Sequence, residues 1–255
     1  MEQKRRSERI HGYDVIRGFS VISMVLFHLC YDLVYLYGVG LGWFASPLQD
    51  VWRASISWTF LLVAGIMCSY SSSNVRRAAK YLAVAGVVFV ATTVAAVDTP
   101  VNFGIIYCMG FSTLVGHLYL KLALRAGVRV NVALALGLAL FFVICLGVPT
   151  GTFGLATFGG PYFKVPAAPY AYGWLSWLGF PGPQFASGDY YPPLPFSLLF
   201  LAGTSLGVII KAKGAPRALQ SLRCQPLEYV GRHALPIYVL HQPLILGVLM
   251  LVYGY

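Results

Sequence analysis

Residues 13–33 read YDVIRGFSVISMVLFHLCYDL. Hydrocarbon would accept most of this stretch, yet it carries Asp14, Arg17, His28 and Asp32. Each ionisable group costs about 2.5 kcal/mol or more at the centre of a bilayer, so each needs a partner, water or a task. At 100° per residue the four fall within an arc of about 60°, one stripe along one face of a helix. Such a stripe must face the interior of a helix bundle rather than lipid.

The rest of the chain has the same character. Of its 255 residues 58% are hydrophobic and only 10% charged, against about 25% charged in a soluble domain. Apolar segments of about 20 residues recur, the length that crosses about 30 Å of hydrocarbon. They place seven spans, at 13–37, 51–71, 81–98, 101–121, 130–148, 193–211 and 230–252. Pro100, Pro149 and the Pro192–Pro193 pair fall between spans, where helix breakers belong. The expectation is an all-α, polytopic transmembrane bundle, a single membrane domain over 1–255 with 149–192 as a long external loop.

The net charge of +10 is distributed in a way that argues against nucleic acid as a partner. Lys4, Arg5, Arg6 and Arg9 precede the first span, and Arg76, Arg77 and Lys80 lie between the second and third. Lys121, Arg125 and Arg129 follow the fourth, and Lys211, Lys213, Arg217, Arg223 and Arg232 lie between the last two or at the mouth of the seventh. That puts 15 of the 18 basic residues on one side, leaving Arg53 and Lys164 opposite and Arg17 in a span. The positive-inside rule then sets a cytoplasmic N-terminus and an external C-terminus, with attraction to anionic headgroups following from the same charge. The first apolar run is too long and too charged for a cleavable signal peptide. Cys30, Cys68, Cys108 and Cys145 lie in spans and Cys224 in a cytoplasmic loop, so no disulfide framework is expected. No His/Cys cluster has metal spacing, and no metal is expected.

Asp14 and Arg17 are three residues apart, a spacing suited to an ion pair. His28 lies eleven residues further, about 16 Å along the helix and near mid-bilayer. Asp32, one turn beyond, is placed to accept a hydrogen bond from the imidazole and so fix its tautomer, the orienting role in nucleophile-activating constellations. The last span, GRHALPIYVLHQPLI at 231–245, brings His241 to a similar depth, with Tyr238 one turn earlier. Pro236 and Pro243 flank this pair and are expected to loosen the backbone there. The residues leave three uses open: acid–base catalysis, a proton relay in a transporter or lipid-handling protein, and polar groups that lock helix packing. Arg232 and His233 read as cytoplasmic-interface groups able to meet an anionic ligand.

The segment 149–192 holds twelve aromatic residues, among them Trp174, Trp177, Tyr190 and Tyr191. It reads either as an interfacial belt with a short helix near 171–180 or as a lid over an external substrate pocket. Asp189 opens DYYPPLPF and is either a helix cap or a substrate contact. Asn102 and Asp98 fall in the short external turn between the third and fourth spans. His11 and His117 read as juxtamembrane groups without a role. No P-loop, GxSxG or dinucleotide fingerprint occurs.

RIHGYDVIRGFSVISMVLFHLCYDL (9–33) closely resembles the opening signature of the DUF1624 family, bacterial relatives of the heparan-alpha-glucosaminide N-acetyltransferase catalytic domain. NFGIIYCMGFSTL (102–114), DYYPPLPFSLLFLAGTSLG (189–207) and GRHALPIYVLHQPLI (231–245) are similar in the same order. The resemblance covers essentially the whole chain. It implies a membrane acyltransferase, in the bacterial inner membrane, that moves an acetyl group from cytosolic acetyl-CoA or another acyl-CoA to a hydroxyl or amine of a glycan or glycolipid. The bilayer, acyl-CoA and that acceptor are then its partners, with homo-oligomers allowed. The family's first-span Asp, Arg and His match Asp14, Arg17 and His28, and its closing His matches His241.

Combined with the bottom-up reading, His28 oriented by Asp32 is the candidate base, and His241 or Tyr238 the group that polarises the thioester or protonates the leaving thiolate. Arg17 and Arg232 are candidates for the CoA phosphates. Asp189, Tyr190 and Trp174 are candidates on the acceptor side. Two departures stand out. The loop Gly38–Asp50 has no histidine where animal lysosomal members place a proposed acetyl-accepting one. Tyr107 stands where many bacterial relatives read His.

Overall fold

The computed structural model describes residues 10–95 and 99–254. Lys4, Arg5, Arg6, Arg9 and Asp98 lie outside the described residues. The helices are α1 (His11–Tyr35), α2 (Leu48–Cys68), α3 (Asn74–Val94), α4 (Ile105–Arg125), α5 (Val128–Cys145), α6 (Pro193–Lys213), α7 (Arg217–Ser221), α8 (Gln225–Arg232) and α9 (Ala234–Tyr253). Among the described residues seven helices are long and apolar enough to cross a membrane, namely α1 to α6 and α9. The protein is an all-α polytopic membrane protein.

Several boundaries depart from the hydropathy reading, each for a local reason. Helix α3 begins at Asn74 and so carries Arg76, Arg77 and Lys80; exposed Arg76 and Lys80 can reach past the helix end into water, whereas Arg77 turns inward and donates to the Met67 carbonyl. Helix α4 starts only at Ile105, because the Asp189 carboxylate accepts the Ile105 N–H at 3.0 Å and fixes the helix start there. The last expected span, 230–252, is two helices. Pro236 has no N–H to give the Arg232 carbonyl, so α8 ends at Arg232 and α9 begins at Ala234. Pro236 therefore sits in the first turn of α9, where a missing N–H costs little. It does not loosen the backbone beside His241, as the sequence suggests, whereas Pro243 does lie inside the helix.

The chain divides into two compact units, Met1–Phe60 with Gly214–Tyr255 and Leu61–Lys213. In the first, α7 and α8 lie against the N-terminal half of α1. Lipid gives little hydrophobic drive to helix association, so small residues that let backbones approach become decisive. A side chain at Gly12 would strike the Leu219 backbone, one at Gly18 the Leu227 backbone, and one at Gly231 the Asp14 carbonyl. Nearer the C-terminal half of α1, Met24, Phe27, Phe44 and Ile56 form a buried cluster, with Trp52 and Tyr238 packed against it.

In the second unit the same device appears as GTSLG, residues 203–207 of α6. Gly203 and Gly207 rest on the backbone of Leu62 and Ile66, and Gly65 rests on that of Phe200. Ser112–Ser197 (3.0 Å) and Tyr119–Ser205 (2.6 Å) hydrogen bonds tie α4 to α6. The segment after α5 forms a hairpin, β1 (Thr152–Gly154) antiparallel to β2 (Tyr162–Lys164), with Phe153 opposite Phe163. The short helix expected near 171–180 is a single 3-10 turn, Gly173–Leu175. Glycines at 173, 179 and 182 and Pro181 leave too little helix propensity to extend it.

Candidate functional site

The polar stripe of α1 meets α9 through two rungs. The imidazoles of His28 and His241 face each other edge-on, ring centroids 4.8 Å apart at 70°. One turn along α1, the Asp32 carboxylate accepts a 2.8 Å hydrogen bond from Nε2 of Gln242, the residue after His241. Asp32 is 2% and His241 8% exposed, while His28 and Gln242 are half-buried, so each rung has one member in the interior, where polar groups in a bilayer protein belong.

His28 does not bond to Asp32, which corrects the expectation from their spacing. Helical side chains lean toward the N-terminus, and the His28 ring follows, its Nδ1 lying 2.9 Å from the Met24 carbonyl. His241 Nδ1 likewise lies 2.6 Å from the Tyr238 carbonyl. A carbonyl only accepts, so each Nδ1 carries a hydrogen, and each ring in its neutral form offers Nε2 as a lone pair. Nε2 of His241 and Oε1 of Gln242 are buried and meet no hydrogen-bond donor among the described residues. Tyr238 contributes its backbone carbonyl, and its ring lies 5.7 Å from that of His241.

Toward the N-terminal end of α1, Arg17 Nη2 donates to Asp14 Oδ1 at 3.0 Å, the ion pair that the i, i+3 spacing predicts. Arg232 is exposed at the end of α8, its Nε donating to the Glu228 carbonyl at 3.2 Å. His11, which the sequence leaves without a role, pairs with the buried Glu228 at 2.5 Å. The His11 hydrogen bond holds the Glu228 carboxyl below its ordinary range, with Arg223 acting in the same direction. A cleft of about 340 Å³ runs beside this part of α1, lined by Val15, Phe19 and Ser23, by Ile56, and by Leu222 and Leu227. Ser20 donates to Ile16 and Ser55 to Trp52, whereas Ser23 accepts from the Trp52 indole and keeps its own O–H, and Thr59 adds a further hydroxyl. The walls are mostly apolar.

The remaining sequence candidates lie in the Leu61–Lys213 unit. Asp189 caps α4, as above, and Ser187 buttresses the turn by bonding Asn102. Tyr190 donates to the Ser176 carbonyl at 2.6 Å, and burial, with Tyr170 nearby, pushes its phenol up. Trp174 is 68% exposed. Among the described residues no group of three or more His, Cys, Asp or Glu could hold a metal ion.

Gln242 is the member of the constellation that motif reading misses. A signal for it existed in the bare sequence: Asp32 needs a donor in the bundle interior, and Gln242 is the polar neighbour of His241.

No curated protein and no solved structure matches this chain. Residues 9–243 match the family described as heparan-alpha-glucosaminide N-acetyltransferase, catalytic, a span that contains both histidines, Asp32 and Gln242. The protein belongs to that family of membrane acetyltransferases.

Proposed function

We propose that the protein is an integral-membrane acyltransferase. It would take acetyl from cytosolic acetyl-CoA and deliver it to an amine or hydroxyl of a sugar acceptor at or across a bacterial inner membrane. The observation that carries this reading is the His28–His241 pair, two imidazoles from separate spans in contact at 4.8 Å, each with Nδ1 tied to a carbonyl and Nε2 presented as a base.

In the proposed reaction the acceptor N–H or O–H gives its proton to a histidine Nε2 as its nitrogen or oxygen attacks the thioester carbonyl carbon. The new C–N or C–O bond forms, the C–S bond breaks, and the CoA thiolate regains a proton from the histidine. The second imidazole shares in moving that proton, with the Tyr238 ring packed beside it. Asp32 acts by fixing Gln242.

The basic residues favour a cytoplasmic N-terminus and external C-terminus. Exposed Arg232, with Arg17 beside the buried Asp14, would meet the CoA phosphates, and the mostly apolar cleft along α1 suits the uncharged part of the donor. Asp189 would enter only indirectly, since its carboxylate is engaged by α4.

The test is transfer of labelled acetyl from acetyl-CoA to sugar amines and alcohols by purified, liposome-reconstituted protein. Label transfer and CoA release that His28→Ala abolishes support the reading. Proton flux without acyl transfer would replace it with a proton-coupled transporter built on the same stripe.

A further inference from the structure

The β1–β2 hairpin has two unlike faces. In an antiparallel pair, directly opposed residues project to the same side, and neighbours along a strand project to opposite sides. Phe153 stands opposite Phe163, so both rings share one face. Thr152 opposite Lys164 and Gly154 opposite Tyr162 make the other. Phe163 is 77% exposed, so the aromatic face is not covered by the rest of the chain.

The depth of that face follows from its neighbour. The Phe153 ring packs on that of Phe141, centroids 6.2 Å apart. Phe141 lies about one turn before the end of α5, so the hairpin folds back along the span instead of leaving it. The reversal is fixed by the backbone: the Thr152 N–H donates to the Gly147 carbonyl and the Val165 N–H to the Gly151 carbonyl, each at 2.9 Å. On α5, Leu136, Leu140 and Phe141 are exposed, and an exposed apolar row on a spanning helix faces lipid. Phe153 and Phe163 continue that surface. Lys164 is the one charged residue between Pro149 and Gly188, far below the charge of a segment bathed in water.

The backbone limits how far the hairpin can enter. A two-stranded sheet has two open edges, whose N–H and C=O groups hydrocarbon cannot satisfy. We propose that the hairpin lies flat in the headgroup layer of the leaflet at the C-terminal end of α5. Its Phe153–Phe163 face turns to the acyl chains, and its Tyr162–Lys164 face turns to headgroups and water. The occupant of the aromatic face is lipid, and the hairpin is a membrane anchor rather than a lid over an aqueous pocket. The proposal is independent of the acyltransferase reading.

The experiment reads nitroxide accessibility in full-length protein reconstituted into liposomes. Labels enter through Phe163→Cys or Lys164→Cys, after Cys30→Ala and Cys224→Ala remove the two half-buried native thiols. Adjacent positions on one strand sample the two faces. The ratio of collisions with oxygen, which partitions into lipid, to collisions with a water-soluble nickel chelate is expected to be several-fold higher at 163 than at 164. Equal ratios at the two positions, whether both wet or both in lipid, overturn the proposal. Protection of position 163 from both reagents means that protein covers the face, and overturns it equally. Should the Phe163→Cys protein not fold, the wild type decides, in vesicles of a phospholipid carrying a diazirine on its acyl chain. Photoadducts mapped to Phe153 or Phe163 support the anchor, and adducts confined to the spanning helices overturn it.

Discussion

The imidazole of His28 lies edge-on to that of His241, with ring centroids 4.8 Å apart. Neither ring can be described as a base without the other, since a proton on one Nε2 is felt at once by its neighbour. Groups that act as a unit are not additive on removal. His28→Ala and His241→Ala should each lower kcat by about 10²–10⁴, and the double variant should fall little further than the more damaging single one. Steady-state acyl transfer by the three variants checks this; multiplicative losses would mean two independent roles.

Gly231 rests on the Asp14 backbone beside Gly18. Gly231→Ala should cost about 1–3 kcal/mol through forced separation of α8 from α1. Gly247→Ala is the control, for it meets open space and should leave stability level or slightly raised. Thermal unfolding midpoints in one detergent distinguish the two.

The His11–Glu228 contact makes the docking of α8 pH-dependent. The folded-state carboxyl is held below its ordinary value of 4.5, chiefly by the His11 hydrogen bond. Its ionised form is thus the one that favours folding. The contribution is fully present above pH 4.5 and is lost as pH falls through the lower folded-state value. The gap in unfolding midpoint between wild type and Glu228→Gln should be widest near neutrality and close as the medium becomes more acid than pH 4.5. A gap that ignores pH would contradict this account of the pair.

Asp189 engages the first N–H of α4. Asp189→Ala should cost about 1 kcal/mol of stability, and Asp189→Asn, which keeps an oxygen acceptor, less. Unfolding midpoints of the two variants test the cap. Equal losses would count against it.

Much of this architecture is legible in the residues themselves. Twenty-residue apolar runs are set by bilayer thickness, so the seven spans follow from hydropathy, and the 60° stripe of Asp14, Arg17, His28 and Asp32 must turn inward whatever the fold. The Asp14–Arg17 pair follows from spacing alone. What spacing does not reveal is which way a side chain leans when two partners compete. His28 and Asp32 are correctly spaced for each other, yet the N-terminal lean of the ring gives Nδ1 to Met24 and frees Asp32 for Gln242. The split between α8 and α9 was likewise written in Pro236 but hidden by hydropathy, which averages across a single missing hydrogen bond. His11 finds Glu228 across 217 residues of chain, a contact no local pattern encodes.

The most direct test of the central claim is single-turnover acyl transfer by the purified protein in liposomes, with acetyl-CoA labelled in the acetyl group and a sugar amine or alcohol as acceptor. The account predicts one labelled product for each CoA released, lost in His28→Ala and in His241→Ala while both variants remain folded. Full transfer by either variant would contradict it, because the facing histidines would then stand outside the chemistry.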